Sequence, residues 1–169
     1  MQKITFKLTR AGIIASLYIV LSLLTLPVSG GAIQFRVSEG LTLLPLLYGE
    51  AVVAIFIGCL LFNTLSGLVI YDIILGSLIT LVSALLTYLT GRLIKNKIPS
   101  ISIGGIFPIL LNAFGLPLIW LYLCEGLAYT YWLQVLFLLI SQSVSVYLFG
   151  SLFYLSLNRL KEKSIKYFM

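Results

Sequence analysis

Ser38-Glu39-Gly40-Leu41-Thr42-Leu43-Leu44-Pro45-Leu46-Leu47-Tyr48 is the stretch on which the fold turns. Ser38 is placed to cap a helix, and the residues after it are apolar enough for a bilayer. Yet the segment is only about half the ~20 residues of an ordinary spanning helix, and it contains Pro45. Whether it crosses sets the side on which everything after it lies. Working outward, ten of the eleven Lys and Arg residues fall in three clusters: Lys3, Lys7 and Arg10; Arg92, Lys95 and Lys97; Arg159, Lys161, Lys163 and Lys166. Cations are retained on the cytoplasmic side of a membrane. If 38–48 crosses, four passes separate the first cluster from the second, and two more bring the tail back. If it does not, Arg92, Lys95 and Lys97 land outside. Six crossings with both termini cytoplasmic is the count that keeps the clusters together.

Composition supports a membrane protein. The chain has 169 residues, 60% hydrophobic and 9% charged, with a mean hydropathy of +1.12. A soluble domain is about 45–50% apolar and about 25% charged. The expectation is a single all-α transmembrane domain over residues 1–169. The net charge of +6 does not point to nucleic acid, because the cations punctuate the ends of apolar stretches instead of forming a stripe. Cys59 and Cys124 lie far apart in apolar contexts, which excludes a CxxC motif and suits small buried hydrophobes. The absence of His removes the commonest metal ligand and general base. There is no nucleotide-binding glycine loop and no HExxH. No enzyme, metal or cofactor is expected, and energy for uphill transport would come from a partner or an ion gradient. Lys3 to Arg10, the apolar run to Leu26 and the small residues after it resemble a signal peptide. Because the chain keeps re-entering the membrane, that segment is read as an uncleaved first helix.

The first helix is expected over about Ala11–Leu26 and the second over Ser38–Tyr48. The 41 residues from Ala51 to Gly91 would make a rod of about 60 Å, twice the hydrocarbon thickness. They must fold back, and Asn63, Ser66, Gly67 and Asp72 place the reversal near 67–72. Further helices follow over about Ser102–Leu123, with Pro108 and Pro117, and Tyr131–Asn158. The basic tail after Arg159 is expected on the membrane surface. Tyr18, Tyr48, Tyr71, Trp120, Tyr122, Tyr129, Tyr131, Trp132 and Tyr154 are read mostly as interfacial belt residues.

The remaining polar groups cluster by depth. Gln34, Arg36 and Glu39 lie at the outer end of the second helix, in a loop expected to be ordered between helices 1 and 2. Asn63 lies in the outer third of the third helix, Asp72 opens the fourth, and Asn112 and Gln142 sit near the middle of the fifth and sixth. Together they describe a polar cup open to the outside, the kind of site transporters build from such groups and from interrupted helices. Ionisable groups held near a bilayer are expensive and by default mark a site. Blander readings stay open for each. Arg36 and Glu39 can pair with one another, Asp72 can cap a helix, and Asn112 and Gln142 can join helices by hydrogen bonds. Glu50 and Glu125 read as interfacial end residues. On the first helix, Ala11 and Ala15, with Gly12 and Ser16 beside them, form a stripe that lets another helix approach.

The segment Ala-Ile-Gln-Phe-Arg-Val-Ser-Glu-Gly-Leu-Thr-Leu-Leu-Pro (32–45) resembles the signature of the QueT-type queuosine-precursor transporters, which are substrate-binding S components of energy-coupling factor (ECF) transporters. The resemblance continues through Gly58 and Asn63, through Asp72, Gly76 and Thr80, and through Pro108 to Asn112. It implies the six-helix, both-ends-in layout in the plasma membrane. It also implies capture of a 7-deazaguanine such as preQ1, preQ0 or queuine, then docking on a transmembrane coupling protein that carries two cytoplasmic ATPases. Ala11 and Ala15 match the stripe by which such components dock. Gln34, Arg36, Glu39, Asn63, Asp72, Asn112, Trp132 and Gln142 become the expected substrate-binding residues, with Trp132 or Tyr131 covering the ring face. One departure is Gln142, where the family usually carries Glu; a neutral amide there would favour a deazapurine without a cationic aminomethyl group. The rival readings are an S component for another vitamin or nucleobase, and a structural membrane subunit.

Overall fold

The computed structural model describes residues 2–29, 34–124 and 129–167. Much of the expected loop between the first two helices, at 30–33, and Glu125, within 125–128, lie outside the described residues. Among the described residues no strand forms, and the helices are α1 (Gln2–Ser29), α2 (Val37–Leu46), α3 (Glu50–Leu65), α4 (Asp72–Leu93), α5 (Lys97–Leu123) and α6, which runs through Tyr131–Ser143, Val144–Gly150 and Ser151–Tyr167. Four stretches are long and apolar enough to cross a membrane: Ile4–Ser29, Asp72–Leu93, Lys97–Leu123 and Tyr131–Lys161. α2 and α3 are shorter apolar helices.

α2 is the centre of the bundle. Every residue from Ser38 to Pro45 is buried, so it is a core element with little of its surface turned to lipid. It is wound as a 3₁₀ helix, which rises about 2.0 Å per residue against 1.5 Å for an α-helix. Its ten residues therefore reach about 20 Å where an α-helix would reach about 15 Å. Glycines allow the neighbours to close on it. A Cβ added to Gly40 would stand 2.8 Å from Gly150 N on α6, and one on Gly91 of α4 would stand 2.8 Å from Leu46 Cα. Small residues let backbones meet this closely where no water drives packing.

The expected reversal after the third helix falls at 66–69. Gly67 adopts φ +67 there, and the amides of Ser66 and Leu68 bond back to the carbonyls of Phe62 and Asn63 at 2.9 and 3.4 Å. A glycine in the left-handed region just past a helix end is the usual way to cap its last carbonyls. α5 stays helical through Pro108 and Pro117. Proline has no N–H for the carbonyl four residues back, which for Pro108 is that of Gly104. Thr87 of α4 supplies the missing donor, its Oγ1 lying 2.9 Å from Gly104 O. A proline that would weaken a lone helix here becomes an interhelical bond.

Several expectations are corrected. α1 begins at Gln2, well before Ala11. The basic tail after Arg159 continues α6 as helix to Tyr167. Ala11 and Ala15 are half-buried against the cluster of Ile14, Tyr18, Leu44 and Ile55, and Ala15 O would lie 3.0 Å from a Cβ on Gly58 of α3. One side of the stripe thus packs inside the bundle, and Gly12 and Ser16 beside it are exposed. Tyr18 and Tyr154 are core residues, not belt residues. Tyr71, Tyr122, Tyr129 and Trp132 are exposed.

Candidate functional site

A cavity among α2 to α5 and the segment before α2 is lined by Gln34, Arg36, Glu39, Asn63, Asp72 and Asn112, six residues expected from the sequence, with Cys59, Gly76, Thr80, Leu116 and Trp120 completing its wall. Its free volume is about 10 Å³, room for about one water. The two other expected residues do not line it. Trp132 is 74% exposed on the outer face of α6's first turn, edge-on to Tyr131. Gln142 is buried, with Oε1 unpartnered, elsewhere on α6.

Glu39 projects from the first turn of α2 and is 3% exposed. Its carboxylate does not pair with Arg36. Oε1 accepts from Tyr18 OH at 2.7 Å, and Oε2 accepts from Asn112 Nδ2 at 3.2 Å. Among the described residues the ion pair within 4.0 Å is Arg10–Glu50, at the other end of α2. The local-pair reading of Arg36 and Glu39 is therefore not what forms. The reason is packing: α1 and α5 each deliver a neutral donor to the carboxylate, and such donors satisfy a buried acceptor well. Ser22 reinforces the α1 contact one turn on, its Oγ 2.6 Å from Ser38 Oγ.

Arg36 instead lies with its guanidinium carbon 5.1 Å from the Phe62 ring centroid, a cation–π distance. Its Nε is buried without a partner. Gln34, beside it on the chain, holds φ +41, a backbone region uncommon for residues other than glycine.

On α3, Asn63 donates Nδ2 to Ser77 Oγ at 3.3 Å and to Cys59 Sγ at 3.5 Å. Asn63 Oδ1 is buried without a partner. Cys59 Sγ also lies 3.4 Å from Thr80 Oγ1. Asp72 and Gly76 bound a π turn at the start of α4, an insertion that recurs at functional sites because it re-aims side chains. Trp120 lines the cavity together with Asp72. A Cβ on Gly76 would meet Asp72 Oδ1 at 3.3 Å and Leu116 Cδ2 at 3.5 Å, so glycine keeps this wall low.

Trp120 and Tyr18 are the participants that sequence reasoning assigned to the interfacial belt. A signal existed for Tyr18. It shares one face of α1 with Ser22, Thr25 and Ser29 at helical spacing, and a polar stripe on an apolar helix points inward. Nothing comparable marks Trp120, which joins Asp72 in the cavity wall.

Four apolar helices of spanning length, with a polar cavity within the bundle, define a multi-pass membrane protein. The chain belongs to the QueT transporter family, whose model matches residues 8–159. The queuosine precursor transporter QueT of Lactococcus lactis subsp. cremoris (strain MG1363) is 38% identical over 80 residues. That alignment covers 46% of this chain and 47% of the relative, so the chain spans about half the length of the curated relative it matches. No solved structure matches.

Proposed function

We propose that the chain is the substrate-capturing S component of an ECF-type importer in the plasma membrane, and that its cavity takes a queuosine precursor of the 7-deazaguanine class. The relative's name supports the substrate class. The observation that carries the reading is a pair of buried unpartnered atoms on residues that line the same cavity: the Arg36 Nε donor and the Asn63 Oδ1 acceptor. A guanine-like edge presents a carbonyl beside N–H groups, the complement of that pair. The carbonyl would accept from Arg36, and the N–H groups would donate to Asn63 and Asp72. Buried polar groups that a ligand completes reject analogues lacking the matching group. Glu39 in this scheme is a positioning residue, because Tyr18 and Asn112 already hold both of its oxygens.

A cavity of about 10 Å³ admits no purine-sized base as it stands. Entry requires the Gln34–Arg36 segment or the Trp120 side chain to swing aside, and the positive φ of Gln34 marks that segment as the strained one.

Six crossings with both ends cytoplasmic remain the topology we favour. The tight winding of α2 supports it, by stretching a short segment toward the thickness of the hydrocarbon. Tags at Asn96 and Asn158 should be reached only after the membrane is breached; labelling from outside intact cells contradicts the topology. Substrate release would need a transmembrane coupling protein and two cytoplasmic ATPases. The exposed Gly12 and Ser16, beside Ala11 and Ala15, are the surface α1 offers such a partner. The function is tested by titrating the detergent-purified chain with preQ1, preQ0, queuine, guanine and a set of vitamins. Saturable binding of a deazaguanine ahead of guanine and the vitamins is the expected result. Preference for a vitamin would make it an S component of another specificity, and binding of none would leave a structural subunit.

A further inference from the structure

At the end of the bundle opposite the Gln34 cavity, two adjoining hollows share Arg10 and Tyr48. The first, about 500 Å³, is lined by Lys7, Arg10, Glu50 and Lys161 around Leu47 and Tyr48. The second, about 380 Å³, is an apolar cleft between α1 and α6 with α2 as its floor, walled by Ile13, Leu17, Leu41, Leu44, Phe153 and Leu157. Tyr48 is the hinge between them. The Arg10 guanidinium lies 4.0 Å and Lys161 Nζ 5.4 Å from its ring centroid.

We infer that these hollows form one binding site for an anionic phospholipid, its acyl chain in the α1–α6 cleft and its phosphate among Lys7, Arg10 and Lys161. The charge fits. Three cations face one carboxylate, Glu50, which Arg10 Nη1 holds at 2.7 Å. The mouth therefore keeps a net charge of +2 while Arg10 stays fixed in place. Basic pockets between transmembrane helices bind anionic headgroups on the cytoplasmic side, where the topology proposed above puts this end. The lining suits a hydrocarbon chain, since it is apolar apart from Arg10, Tyr48 and Ser156. The cleft wall is also exposed where it faces the bilayer, with Ile13 62% and Leu17 39% accessible.

The test is native mass spectrometry of the purified full chain in micelles containing dioleoyl phosphatidylglycerol or dioleoyl phosphatidylcholine. The parent should retain phosphatidylglycerol and release phosphatidylcholine. Lys7→Gln with Lys161→Gln should weaken phosphatidylglycerol retention by roughly fivefold per cation, about thirtyfold together. Arg92→Gln with Lys95→Gln, at the turn between α4 and α5, should not. Ser156→Phe, which fills the cleft and leaves the cations alone, should also weaken retention. Melting temperatures equal to the parent's show that each variant folds. Equal retention of the two lipids, equal loss in the Arg92 variant, unchanged retention in Ser156→Phe, or competition by inorganic phosphate alone would each overturn the inference. So would a stoichiometric polypeptide occupying the cleft.

Discussion

Tyr18, in the middle of α1, donates its phenolic hydrogen to Glu39 Oε1 at 2.7 Å, so a residue placed by its sequence context in the interfacial belt instead holds the carboxylate at the centre of the bundle. Removing that hydroxyl leaves a buried carboxylate one donor short. A lost hydrogen bond to a charged group is worth about 1.5–3 kcal/mol. Tyr18→Phe should therefore weaken deazaguanine binding by about tenfold or more and lower the melting temperature, as calorimetric titration and thermal unfolding would show. Unchanged affinity would mean that Glu39 needs no help from α1.

Asp72 and Asn63 face the cavity directly, whereas Glu50 is engaged with Arg10 at the far end of α2. Asp72→Ala and Asn63→Ala should each weaken binding by about tenfold or more, while Glu50→Ala should leave it within about twofold. A binding series in which Glu50→Ala is the most damaging would move the site to the other end of the molecule.

Gly76 separates binding from folding. Its missing side chain leaves the wall open between Asp72 and Leu116. Gly76→Val should keep the helical content and abolish binding, because the added methyls enter the cavity. Full affinity in that variant would show that the ligand does not pass this wall.

The Gly40–Gly150 contact tests packing alone. A side chain on Gly150 would meet Gly40 O at 2.8 Å and Leu43 Cδ1 at 2.9 Å, and backbone cannot yield as a flexible side chain does. Overpacking of this kind typically costs about 1–3 kcal/mol. Gly150→Val should lower the unfolding midpoint by that measure, and neutral behaviour would show that α6 can slide on α2.

Gln142 does not reach the cavity, which argues against a role in choosing between charged and uncharged precursors. Gln142→Glu should bind both in the parent's ratio while losing stability, since it puts a new charge where the amide's Oε1 is already unpartnered. A changed ratio would restore the selectivity role that its alignment with a family Glu suggested.

Much of this was legible beforehand. The reversal near Gly67 and the convergence of Arg36, Glu39, Asn63, Asp72 and Asn112 followed from depth counting, because polar residues on apolar helices have few places to go. What was not legible depends on backbone register. The 3₁₀ winding of α2 and the π turn at Asp72–Gly76 shift side chains around the helix axis. A fixed 3.6 period cannot show that. Trp120 therefore reads as belt from the sequence, and Trp132 or Tyr131, at the start of α6, as a cover for the ring. Ala11 and Ala15 show a different limit: a small-residue stripe says that a helix approaches, not which one, and Gly58 of the same chain comes close on one side.

The most direct measurement is a structure of the purified protein with a bound 7-deazaguanine. The ligand should lie between Arg36 and Asn63, its carbonyl on Arg36 Nε and its N–H edge on Asn63 Oδ1 and Asp72, with Glu39 still held by Tyr18 and Asn112. A ligand seated elsewhere, with Arg36 and Asn63 still lacking partners, would contradict the account.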